Sequence, residues 1–141
     1  MALYVLAYRI TSPPTLWHWL ALPISLLLGL FVSFAWRFLV SLTGFWTRDA
    51  TGIGRLAFML AYFFSGLLMP LAFFPDWAAS LLRLTPFSAM MYLPSEVYLG
   101  VVRGPGLAAA LAVQALWAVA LYALARVVLA AGVRHLVLQG G

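Results

Sequence analysis

Apolar side chains run almost without interruption through three stretches, Leu16 to Leu42, Ile53 to Phe74 and Leu107 to Ala131. Each reaches the roughly 20 mostly apolar residues that a helix needs to cross the hydrocarbon core of a bilayer, and none keeps the two-residue alternation of a strand. The pattern predicts three transmembrane helices. Between the second and third, Pro75 to Gly104 stays apolar but is cut by Pro75, Pro86, Pro94 and Gly100, so no piece of it is long enough to cross. Two short re-entrant or interfacial helices are expected there. The first would be capped by Asp76, with Trp77, Leu81 and Leu84 on one face and Arg83 near the C-terminal end, where the helix dipole favours a cation. The second, Pro94 to Leu99, would be capped by Ser95 and ended by Gly100, and the Gly104-Pro105-Gly106 turn would launch the last span. The expected fold class is an all-α integral membrane protein, a single transmembrane domain over residues 1–141.

Composition turns that expectation into a requirement. Of the 141 residues 66% are hydrophobic and 8% charged, with a mean hydropathy of +1.07; a domain this small leaves too much area exposed to hide so much apolar surface from water. The net charge of +5 comes from eight arginines, placed singly between apolar stretches. A nucleic-acid interface would need them gathered on one face, so they read as interfacial anchors and loop charges. Arg9, Arg83 and Arg103 fall on one side of the membrane, and Arg48, Arg55 and Arg134 on the other. Arg37 and Arg126, near span ends, can snorkel to that second side. The bias places the Gly44 to Gly52 loop and the C-terminus in the cytoplasm. There is no cysteine, which removes disulfides, thiolate zinc sites and thiol nucleophiles.

Few positions could carry chemistry. In the first span Ala21, Ser25, Gly29, Ser33, Arg37 and Ser41 recur every fourth residue, a stripe of small residues that lets another helix approach closely. Ser25, Gly29 and Ser33 are helix-packing candidates on that account, preferred over the alternative of a substrate-path lining. In the second span Ser65-Gly66-Leu67-Leu68-Met69-Pro70 should kink or break the helix, because the proline ring meets the Gly66 carbonyl and supplies no donor. Ser65, Gly66 and Pro70 are thus either a structural kink or part of a path or gate. Glu96, the sole glutamate, is costly at bilayer depth. It either pairs with Arg103 or with an arginine of another subunit as a gate, or sits in water at headgroup level, the reading preferred here. Gln114 in the third span is expected to hydrogen-bond between helices rather than to hold substrate. His18, His135, Asp49 and Asp76 are too scattered to form an active site with a nucleophile and base. Gly52-Ile53-Gly54 lacks the lysine of a phosphate-binding loop. No catalytic, cofactor or metal residue is assigned.

The order of Phe45-Trp46-Thr47, Phe64-Ser65-Gly66, Pro70-Leu71, Phe74-Pro75, Pro86-Phe87, Tyr92, Pro94, Glu96, Tyr98, Gly100 and Gly140-Gly141 resembles the C-terminal half of ATP-binding cassette transporter permeases of the type-2 exporter class, in their bacterial six-span branch. The resemblance covers nearly the whole chain. It implies a permease of the inner membrane, with two re-entrant helices on the outer side between its last two spans. Its partners would be a separate ATP-binding subunit that hydrolyses ATP, a second permease subunit and membrane lipid. The three spans would be the fourth, fifth and sixth, which makes this chain the back half of a larger or split permease. Three spans and a cytoplasmic C-terminus put Met1 outside, which is awkward for a chain with no basic leader or cleavage site but natural for the back half of a larger protein. The family's N-terminal interfacial helix and main ATPase-contacting loop belong to the other half. Two further readings stand beside the exporter: a small oligomeric membrane scaffold without transport activity, and an intramembrane enzyme, ranked last.

Overall fold

The computed structural model describes residues 16–69 and 71–139, and every regular element among them is a helix. Helix α1, Leu16–Ser41, has 26 residues and is therefore about 39 Å long at about 1.5 Å per residue. A single 3-10 turn, Leu42–Phe45, extends it. Helix α2, Ala50–Phe64, has 15 residues. A second 3-10 turn, Leu71–Phe73, is followed by α3, Asp76–Arg83, α4, Pro86–Met90, α5, Tyr92–Tyr98, and the 35-residue α6, Pro105–Gln139. By length and composition two helices suit a membrane crossing, α1 with its 3-10 extension and α6. Their outward faces carry large apolar side chains such as Leu27, Leu30, Phe34, Leu116 and Val119, a surface suited to lipid.

The second stretch differs from its expected extent. The helix ends at Phe64 rather than Phe74, and its 15 residues span only about 22 Å, short of the roughly 30 Å hydrocarbon core. Gly66 is the cause. Its φ of +82° is a left-handed conformation that glycine adopts without steric cost, so the helix closes on the Ser65 N–H to Ala61 carbonyl bond at 2.9 Å. The break therefore falls at Gly66, ahead of Pro70, which lies outside the described residues, as do Arg9 and the Gly140-Gly141 pair. The start of α2 is set by Asp49, whose carboxylate accepts from the Gly52 N–H at 2.9 Å.

The broken segment holds three short helices instead of two. Pro75 is the N-cap of α3 and Asp76 its first residue, so Asp76 favours the helix dipole without capping it. Ser95 lies inside α5, where its hydroxyl donates to the Met91 carbonyl one turn back. The end of α5 is as expected. Gly100, φ +66°, donates its N–H to Val97 at 3.2 Å while Val101 donates to Glu96 at 3.0 Å, the paired bonds of a Schellman closure. Forcing a β-carbon into that left-handed position costs about 1–2 kcal/mol. Gly100→Ala is accordingly expected to lower unfolding stability in a detergent titration by that amount. Gly54→Ala, on an α2 face with nothing near its missing β-carbon, should be neutral or stabilising.

Helices α1 and α6 are parallel neighbours: His18 bonds to Val102 just before α6, Ser25 to Gln114, and Phe45 packs on Gly132. The α4–α5 hairpin packs against both. Its tip carbonyls, Ala89 and Met90, meet α1 at Gly29, which lies 13 residues into that helix and therefore about 20 Å along it. The core, Val32, Ala35, Ala89, Leu93, Ala118 and Leu121, forms where the three meet.

Candidate functional site

Three groups of polar residues are built onto this frame. The first lines a cavity of about 550 Å³ between α1 and α2, bounded by the hairpin tip at Met90 and Met91. Ser33, Arg37 and Ser41 of α1 face Ala57, Tyr62 and Ser65 across it. The Arg37 guanidinium stacks on the Phe58 ring at 4.8 Å. The Ser65 hydroxyl bonds its own helix at the Tyr62 carbonyl, 3.1 Å. The fourfold spacing of the α1 stripe explains why it divides here. With 3.6 residues per turn, every fourth residue drifts about 40° around the helix. Ala21, Ser25 and Gly29 are buried in the core, where Val32 and Ala35 then succeed them, while Ser33, Arg37 and Ser41 have rotated onto the cavity.

The second group is a clasp between α3 and α5. Arg83 Nη2 donates to Glu96 Oε1 at 2.8 Å and to the Tyr92 hydroxyl at 3.1 Å. The Glu96 side chain is 8% exposed against 52% for Arg83. The Tyr92 hydroxyl bond and the Glu96 carboxylate together hold the arginine above its ordinary, already high pKa, outweighing the desolvation that lowers it. Glu96 is therefore a buried, paired carboxylate and not one bathed in water. Its partner is Arg83 and not Arg103, because Gly100 ends the helix that would have carried residue 103 back over Glu96; Arg103 instead donates to the Gly100 carbonyl at 3.1 Å.

The third is a fully buried node. Gln114 accepts from the Ser25 hydroxyl at 2.8 Å and donates to the Ser25 carbonyl at 3.1 Å and the Ala89 carbonyl at 2.9 Å. One amide thus joins α1, α4 and α6. The residues singled out from sequence therefore fall in different places: Ser33 and Ser65 on the cavity, Ser25 and Gln114 at the node, Gly29 under the hairpin tip, Glu96 in the clasp and Gly66 at the end of α2. Arg83 and Tyr92 went unrecognised as Glu96 partners. The available signal was the four-residue spacing of Tyr92 and Glu96, which puts both on one helix face. Among the described residues no three His, Asp or Glu side chains gather as metal ligands would.

A model of ABC-2 family transporter proteins matches the chain over residues 1–140. No curated protein and no solved structure matches it.

Proposed function

The chain belongs to the ABC-2 family of transporter proteins, and from that premise we propose that it forms part of the translocation path of an ATP-driven exporter in the bacterial inner membrane. Family membership supports a transporter system with an ATPase partner, in which this chain is a membrane component and the partner hydrolyses ATP. In this reading α1, the stretch around α2 and α6 correspond to three crossings with a cytoplasmic C-terminus. A second permease subunit completes the path. The hairpin α4–α5 is the gate and the Arg83–Glu96 pair its latch, with the small-residue wall of Ser33, Ser65 and Gly66 along the path.

The observation that supports the gate is the packing of the hairpin against both α1 and α6. Interrupted backbone at membrane depth is tolerated where protein buries it or where it lines a cavity, and this hairpin does both, packing on Gly29 and bounding the α1–α2 cavity. Breaking the latch is asymmetric. Arg83→Ala strands a buried carboxylate, whereas Glu96→Gln keeps an acceptor for Arg83. A hydrogen bond to a charged group contributes about 1.5–3 kcal/mol; with Arg83 half in solvent the lower end applies, or about tenfold in a rate. In vesicles reconstituted with the ATPase subunit, Arg83→Ala is expected to reduce coupled export about tenfold. Glu96→Gln should act more weakly, and adding it to Arg83→Ala should recover part of the loss. Equal export by all three variants and the parent would remove the gate role. A chain that never associates with an ATPase would favour the scaffold.

A further inference from the structure

The α1–α2 cavity carries a cation, Arg37, for which no ion-pair partner lies among the described residues. The whole sequence holds three carboxylates: Asp49 caps α2, Asp76 opens α3 and Glu96 pairs with Arg83. Among the described residues none lies within ion-pair distance of Arg37. The same cavity is lined by the hydroxyl-bearing Ser33, Ser41, Thr51, Tyr62 and Ser65 and by an apolar zone that includes Ala57, Ala61 and Met90. The volume of about 550 Å³ is within the roughly 300–1,000 Å³ of small-molecule sites. Arg37 lies eight residues before Phe45, the end of the apolar span, hence about 12 Å from it, a depth from which an arginine side chain can reach headgroup level.

We propose that this cavity binds an anionic phospholipid of the adjoining leaflet, with the headgroup phosphate on Arg37, Ser41 and Thr51 and an acyl chain along Ala57 and Ala61 toward Met90. Charge complementarity selects the headgroup. The planar guanidinium, already oriented by stacking on Phe58, matches a phosphate bidentately. Arg48 and Arg55 lie on the same side, and basic residues there draw anionic lipid to the surface. The small side chains of the apolar zone leave space that a flexible chain fills. This inference rests on the membrane location alone and not on the transport reading, so its test measures binding and no flux.

The purified chain is equilibrated in detergent with phosphatidylglycerol or phosphatidylcholine of identical acyl chains, and bound lipid is counted by native mass spectrometry. Both lipids offer a phosphodiester to Arg37, but the fixed cation of choline is repelled by the arginines there, so phosphatidylglycerol is expected to be retained at least about tenfold more tightly. Arg37→Gln should erase that preference and Arg37→Lys should keep most of it. Ala57→Trp, which narrows the apolar zone, should weaken both lipids together. Equal retention of the two lipids by the parent, or a preference that survives Arg37→Gln, overturns the proposal. Retention of neither lipid overturns it as well, because the cavity would then be filled by protein.

Discussion

Gly29→Val is expected to unseat the hairpin from the two long helices it packs against. A β-carbon at residue 29 would lie 2.8 Å from the Met90 carbonyl oxygen, 3.3 Å from that of Ala89 and 3.2 Å from Pro94 Cγ. Two of these neighbours are backbone, so no rotamer change relieves them, and the tip must move as a whole. Overpacking of this kind costs about 1–3 kcal/mol. The displacement also pulls Ala89 from the Gln114 amide, bonded at 2.9 Å, so valine should fall at or beyond the upper end of that range. Gly29→Ala should cost roughly half as much. Ser33→Ala, one step along the same stripe but on the cavity, should change stability by less than about 0.5 kcal/mol, as surface substitutions do. Unfolding in mixed micelles measures all three, and similar values for Gly29→Val and Ser33→Ala would show that the close approach is not what seats the hairpin.

Gln114→Leu is the second large effect. Leucine fills a comparable volume but removes three hydrogen bonds at once. Inside a membrane such bonds contribute about 0.6 kcal/mol on average and up to about 1.7 kcal/mol, so the set predicts a loss of about 2 kcal/mol. Ser25 is not left stranded, because a serine hydroxyl can turn to the carbonyl one helical turn behind it. The Ala89 carbonyl at the hairpin tip has no such recourse. Ser25→Ala should therefore be the milder variant. The Ser25→Ala, Gln114→Leu double-mutant cycle should give a coupling of about 0.6–1.7 kcal/mol. Additive effects would mean that the Ser25 hydroxyl adds nothing to the node, which would then rest on the two carbonyls.

What the sequence made legible follows from what each signal measures. Hydropathy reports the solvent, so α1 and α6 were found as long apolar helices. It also ran on through Leu67, Leu68, Leu71 and Phe73, which are as apolar as a span, although the backbone had already turned at Gly66. A positive φ leaves no trace in hydropathy, and Pro70 drew attention away from it. The i+4 stripe was visible as a stripe, but its division between core and cavity needed the 40° drift to be followed around the helix. Gln114 was readable because an amide in a span must find partners; which partners depended on a hairpin whose tip is not encoded by spacing. The Glu96 pairing was missed for a topological reason. Sequence proximity favoured Arg103, whereas the fold brings Arg83 back across α5.

The Gln114 node also sets an order on how the protein can be made. Ser25 and its partner are separated by 89 residues, and at about 5–20 residues per second a ribosome needs on the order of 4–18 s to deliver the second after the first. Late in that interval the first helix and the hairpin are already synthesised, yet the amide that ties them together has not been. Nascent chains halted before residue 114 should therefore insert into the membrane and remain open to protease at the hairpin, and maturation becomes a check that the final helix has arrived.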